Sequence, residues 1–269
     1  MDKILILDFG SQTTALIARR IRDEGVYTDI VSGDTTLSKD ILQGVKGIIL
    51  GGSPESVYAK GALPDQSIYK SGLPLLGICY GLQRMTSDLG GTVEPLAHKE
   101  YGGVEVRLNK AASETLNEKA AAFTAALTQS FTAWMSHGDT ITKLASGFVE
   151  IAGSVTGFPA VLAHEKQPWF GLQFHPELTH SENGFEILKA FVFGVCECEK
   201  KLDNGKIFAK QRGNHPRKSK RRSCLTFNFR RSGLNSCSSL TFKDAKTASS
   251  APDVHGYRPY AQGRNRSGK

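Results

Sequence analysis

Leu76-Gly77-Ile78-Cys79-Tyr80-Gly81-Leu82-Gln83 is the stretch from which the rest of this sequence can be read. Residues 73–78 form an apolar run, as in a strand buried on both faces of a parallel sheet. Residues 82–89 place Leu82, Met85 and Leu89 at helical spacing, so Cys79 falls on the turn between strand and helix. Small residues two before and two after a nucleophile let strand and helix approach closely, while the tight turn exposes the side chain. This is the logic of the Gly-x-Ser-x-Gly elbow, with sulfur in place of oxygen. At the helix N-terminus the free N–H groups and the dipole stabilise a thiolate. A cysteine at a strand end is as a rule only a small buried hydrophobe. A nucleophile also needs a base, an orienting group and an oxyanion site from elsewhere in the chain.

Upstream, Ile4-Leu5-Ile6-Leu7 is a second apolar run, ending at Asp8-Phe9-Gly10-Ser11. A helix is predicted over 12–24 and stopped by Gly25, with a strand at 26–31, a short helix at 37–42 and a strand at 47–50. This alternation predicts an α/β fold: an open, mostly parallel twisted sheet with helices on both faces. Ligands in such sheets bind beyond the carboxyl ends of the strands. Cys79 lies at one such end and Gly51-Gly52-Ser53-Pro54-Glu55-Ser56-Val57 at another. Alone, that loop is ordinary turn chemistry. Beside the elbow it is a candidate oxyanion hole, with the N–H groups of Gly52 and Ser53 next to that of Tyr80. It matches neither glycine-rich phosphate-loop pattern.

Downstream, residues 90–94 and 103–108 read as short strands of a smaller antiparallel sheet, and the Ala-rich stretch 111–127 as a helix in a surface insertion. Residues 130–135 form a strand that delivers Ser136-His137-Gly138-Asp139. Further strands follow at 148–152, 160–163 and 170–174, and a helix at 183–195 closes the domain with Phe185, Leu188, Phe191 and Val192 inward. The strand ending at Phe174 runs into His175-Pro176-Glu177. A histidine at a strand end is as a rule a surface or core residue, but His175 and Glu177 project to the same side of an extended segment that Pro176 stiffens, which makes them candidates for base and orienter in the chain order Cys, His, Glu. His137 is a rival base, although the Gly138-Asp139 after it suits a backbone-recognition loop better.

The charge is unevenly spread. The net +8 divides into −6 for residues 1–198 and +14 for 199–269, where 18 Lys/Arg meet 4 Asp/Glu. A boundary near residue 200 therefore separates a domain at 1–199 from a basic tail at 200–269, whose composition predicts disorder. Lys218-Ser219-Lys220-Arg221-Arg222, near Phe227 and Phe229, would make a nucleic-acid patch. The compositional break favours an unrelated extension or a shifted reading frame. Five cysteines without a C-x-x-C pair argue against a disulfide framework and a zinc site, and no metal is expected. With no signal peptide and no membrane-length apolar run, the expected compartment is the cytoplasm.

Gly-Ile-Cys-Tyr-Gly-Leu-Gln at 77–83 and Gln-Phe-His-Pro-Glu at 173–177 resemble the class I glutamine amidotransferases. Ile6-Leu7-Asp8-Phe9-Gly10-Ser11-Gln12, Trp134-Met135-Ser136-His137-Gly138-Asp139 and His175-Pro176-Glu177-Leu178-Thr179-His180 resemble in particular the amidotransferase domains of GMP synthetases. The resemblance spans residues 3–200. It implies that Cys79 attacks the side-chain amide of L-glutamine to form a γ-glutamyl thioester, with His175 and Glu177 as base and orienter. Gln83, Ser136, His137, Gly138 and Asp139 would bind glutamine. No cofactor is implied for this step. In the family, ATP and magnesium serve a separate XMP-aminating pyrophosphatase domain or subunit, which takes up the ammonia. The Ser-Gly-Gly-Val-Asp-Ser loop of that domain does not follow residue 199. An amidotransferase subunit of another synthase, such as an anthranilate-synthase type, and a non-catalytic basic nucleic-acid binder are the competing functions. Where the family usually has Ser-Gly-Gly-Pro, this chain has Gly51-Gly52-Ser53-Pro54. A positive φ at Ser53 would cost about 1 kcal/mol.

Overall fold

The structure, a computed structural model, describes residues 1–59, 61–109 and 117–201. The expectations for the basic tail from 202 onward, and for the start of the Ala-rich stretch, lie outside the described residues.

Four strands, β1 (Lys3–Asp8), β2 (Tyr27–Ser32), β3 (Val45–Leu50) and β4 (Leu75–Ile78), pair in parallel in the order β2-β1-β3-β4, and β9 (Trp169–Leu172) adds to β4, also in parallel. β1 is apolar from Ile4 to Leu7 because both of its faces are covered there. Ile4 and Ile6 enter one core, packed with Ile17 and Ile21 of helix α1 (Thr14–Asp23), while Leu5 and Leu7 enter the other, with Leu82 and Met85 of helix α3 (Tyr80–Asp88). Gly25 ends α1 with φ +88, the left-handed conformation that a non-glycine residue resists. The short helix α2 is Lys39–Leu42, capped by Ser38, whose hydroxyl accepts from the N–H of Ile41.

The antiparallel strands continue this same sheet through β9 and do not make a smaller one of their own. β8 (Pro159–His164) pairs antiparallel with β9, then β7 (Phe148–Ser154), β5 (Thr92–Leu108) and β6 (Ser130–Lys143) follow outward. The connection 165–168 is too short for a crossover, so β8 and β9 must run antiparallel, which leaves the other edge of β9 for β4. β5 is one long strand in place of the two short ones expected. Its register against β6 shifts between Pro95 and Glu100, which absorbs the break at a residue without an N–H. Ser136 to Asp139, expected as a loop, lie within β6 because Glu100 and Tyr101 pair with His137 and Ser136.

The Ala-rich stretch is not a surface insertion where it is described. Helix α4 (Glu118–Thr124) buries Ala120 and Phe123, and the Phe123 ring stacks on Phe170 with centroids 4.3 Å apart. The closing helix is α-helical over α5 (Gly184–Lys189) and becomes a π-helix over Ala190–Val195. Phe191 and Val192 are buried as expected, whereas Phe185 is half-buried beneath the Arg20 guanidinium. Among the described residues no helix is long and apolar enough to cross a membrane.

Candidate active site

Parallel strands put their carboxyl ends on one edge, and the loops after β1, β3, β4 and β9 line a cleft of about 730 Å³ there. Cys79 is the residue between β4 and α3, at φ 53 and ψ −108. A non-glycine residue in this region carries about 1–3 kcal/mol of strain. The turn is held tightly: the Cys79 N–H donates to Leu172 O at 2.7 Å, and the Gln83 N–H donates to Cys79 O at 3.1 Å. Neither flanking glycine could carry a side chain. A Cβ on Gly77 would lie 2.6 Å from Leu82 N, and one on Gly81 would lie 2.1 Å from Leu50 O. The thiol makes no capping bond to its own helix, and its Sγ lies 3.8 Å from Ser136 O.

His175 follows β9, the strand beside β4, and its side chain lines the same cleft as Cys79. Its Nδ1 lies 2.8 Å from Oε1 of Glu177, which is fully buried behind it. Burial alone would push the His175 imidazolium down. The hydrogen bonds to Cys79 and to the Glu177 carboxylate outweigh that and carry it up to about 10. The backbone is pinned as well: His175 N–H donates to Trp134 O at 3.2 Å, while the Ser181 hydroxyl donates to His175 O at 2.7 Å and accepts from the Trp134 N–H at 3.0 Å.

Tyr80 opens α3, so its N–H has no helical carbonyl four residues back. Ser53 lines the cleft and its φ is not positive, so the strain expected for a serine there does not arise. Its hydroxyl instead accepts from the Glu55 N–H at 3.1 Å. Gly52 lies behind it, where a Cβ would stand 3.1 Å from Ser11 Oγ and 3.5 Å from His175 Cε1.

Gln83, Ser136, His137, Gly138 and Asp139 also reach the cleft wall. Their polar groups are partly committed. Gln83 Nε2 donates to Asp139 O at 2.8 Å and to Gln173 Oε1 at 3.2 Å, which uses both of its protons and leaves the carbonyl oxygen as the end able to take a ligand's donor. Both ring nitrogens of His137 face groups other than the Cys79 sulfur. Its Nδ1 faces Asp139 O at 2.9 Å and its Nε2 faces Glu100 Oε2 at 3.0 Å, a close contact that is off hydrogen-bond geometry. Burial pushes His137 down, and neither the Asp139 carbonyl nor Glu100 reverses that.

Three polar residues of the site are not legible as such in the sequence. Gln173 opens the Gln-Phe-His-Pro-Glu segment as a polar side chain in an otherwise apolar strand end, yet nothing in that pattern turns it to Cys79. Glu100 has no signal, because its place opposite His137 depends on the register shift in β5. Ser181 reaches back to His175 from a turn with no pattern of its own.

Residues 5–195 match the family described as Glutamine amidotransferase class-I. Among curated proteins, the GMP synthase [glutamine-hydrolyzing] of Bacillus cereus (strain AH820) is 46% identical over 198 residues, and that of Bacillus anthracis matches to the same extent. These matches cover 73% of this chain and 37% of the relatives, so the chain spans little more than a third of their length. Among solved structures, a protein of Thermoplasma acidophilum described as a GMP synthase subunit is similar with a TM-score of 0.60 and 27% identity, covering 78% of this chain and 98% of that one. A glutamine amidotransferase of Thermotoga maritima shares the fold, with a TM-score of 0.51, 17% identity, and coverage of 80% and 87%.

Proposed function

We propose a function that proceeds from one premise: the chain belongs to the class I glutamine amidotransferases. It is a glutamine amidotransferase of the GMP synthase type, and residues 1–199 are its amidotransferase domain. The observation that carries the reading is the convergence of Cys79, His175 and Glu177 at the carboxyl ends of two adjacent strands.

The chemistry follows from that arrangement. Cys79 sulfur attacks the side-chain carboxamide carbon of L-glutamine, and the oxygen that gains charge is received by the N–H groups of Tyr80 and of the Gly52-Ser53 loop. The carbon–nitrogen bond breaks and imidazolium His175 gives its proton to the departing nitrogen, so ammonia leaves and a γ-glutamyl thioester remains. Neutral His175 then takes a proton from water as the hydroxide attacks the thioester. Glutamate leaves and the sulfur is restored. Glu177 holds the Nδ1 proton in place throughout and stabilises the imidazolium. Gln83 Oε1 accepts from the α-ammonium of glutamine, and the segment Ser136 to Asp139 grips its α-carboxylate end.

This chemistry is carried by side chains and backbone N–H groups and calls for no cofactor. Ammonia is destined for an XMP-aminating synthetase, with its ATP and magnesium, on a domain or subunit beyond the described residues, and the setting is the cytoplasm. The likeness to a protein described as a GMP synthase subunit supports a separate partner. The test is glutamate release with and without such a synthetase. Turnover that rises with the synthetase present and disappears in Cys79→Ala is expected. Hydrolysis that survives Cys79→Ala would overturn the nucleophile.

A further inference from the structure

We propose that Gln173 is a positioning residue for the reaction, its side-chain amide donating to the Cys79 sulfur and holding it in the form that attacks glutamine. The inference rests on the amidotransferase reading above and assigns a role to a residue that this reading leaves unused.

Which end of an amide faces a neighbour is settled here by a chain of partners. A backbone carbonyl can only accept, so the end of Gln83 that lies 2.8 Å from Asp139 O is its nitrogen. That nitrogen is also 3.2 Å from the Gln173 side chain, so the Gln173 end facing it is the oxygen. The Gln173 nitrogen is then turned to Cys79, with Nε2 3.8 Å from Sγ. All three side chains are buried, so water does not compete for these groups. The other end of the chain is anchored too, because Asp139 O also faces His137 Nδ1.

The sulfur therefore has neighbours that prefer different protonation states. Ser136 O, at 3.8 Å, can only accept, and it suits a thiol that donates. The Gln173 N–H can only donate to sulfur, and it suits a thiolate, as does a protonated His175 lining the same cleft. Gln173 has no place in the proton transfers, since an amide neither gains nor loses a proton near neutral pH. It acts on the direction and charge of the sulfur, and through it on the rate.

The charged and titratable groups facing this sulfur from neighbouring elements are His175 with Glu177 after β9, and His137 and Asp139 on β6 beyond Gln83. None is altered by a substitution at 173. Gln173→Met removes the donor while keeping similar length. Gln173→Glu keeps an acceptor for Gln83 and sets a carboxylate oxygen against the sulfur.

The experiment measures alkylation of Cys79 by iodoacetamide across pH, followed on the Cys79 peptide by mass spectrometry, beside steady-state glutamine hydrolysis. Folding of each full-length variant is checked by thermal melting. In Gln173→Met the alkylation rate at neutral pH should fall about tenfold, with its pH midpoint moved upward. kcat should fall in parallel, and KM for glutamine should stay within about twofold. Gln173→Glu should move the midpoint further in the same direction. An unchanged alkylation profile in a folded variant overturns the inference, and so does a change confined to KM, which would place Gln173 on the substrate. If neither variant folds, the wild-type protein decides: the Gln173 side-chain amide resonance should shift when Cys79 is alkylated, and an unmoved resonance overturns the inference. If wild-type Cys79 neither reacts nor hydrolyses glutamine, the amidotransferase chemistry itself fails, a result distinct from reactive Cys79 with indifferent Gln173.

Discussion

His175 Nδ1 and Glu177 Oε1 lie 2.8 Å apart across a single intervening proline, so base and orienter travel on one short segment and cannot drift apart. Glu177→Gln keeps the shape of that partner but can offer an N–H where the imidazole presents its own. The expected result is a loss of kcat of about 100-fold or more, with KM for glutamine little changed, read from initial rates of glutamate release. A raised KM at preserved kcat would instead assign Glu177 to substrate binding.

The same pair predicts how stability responds to pH. In the folded protein His175 keeps its proton up to about 10, whereas in the unfolded chain it releases it near about 6.5. Its stabilising contribution is thus complete below the unfolded value and is lost as pH rises through the folded one. Urea denaturation at a series of pH values should show the decline in wild type and a shallower one in His175→Gln. Identical slopes would show that another group is responsible.

Gly81 packs against a backbone oxygen that has nowhere to go. A Cβ there would lie 2.1 Å from Leu50 O, so Gly81→Ala should lose about 3 kcal/mol or fail to fold. Gly61→Ala is the control, with nothing within 4 Å of the added carbon, and should stay within about 0.5 kcal/mol of wild type. Thermal melting of the two variants checks the contrast.

Ser53 provides the converse case. Because its φ is not positive, no strain waits to be released by glycine. Ser53→Gly should leave kcat/KM for glutamine hydrolysis within about threefold of wild type. A gain of an order of magnitude would show that the serine does hinder the loop.

Much of this architecture is legible in the sequence because its signals are local. The apolar runs ending at Asp8, Leu50 and Ile78, the glycines around Cys79, and the two-residue step from His175 to Glu177 each carry their meaning within a few positions. What stays hidden depends on pairing between distant segments. The shift between Pro95 and Glu100 decides that Glu100 meets His137 and turns Ser136 to Asp139 from loop into strand. The single sheet likewise depends on β9 accepting β4 on one edge and β8 on the other. Phe123 looks like part of an Ala-rich surface segment until Phe170 is found beneath it.

Nucleophile and base hang from one parallel ladder, in which Ile78 pairs with Leu172 and the Cys79 N–H closes onto the same Leu172 carbonyl. A slip of one residue along that ladder would turn the side chains beyond it to opposite faces. A mispaired chain would still contain Cys79, His175 and Glu177, yet they would never meet. Under the proposed chemistry, ammonia release is therefore also a quality mark of assembly: a molecule that makes ammonia has already set its central strands in register.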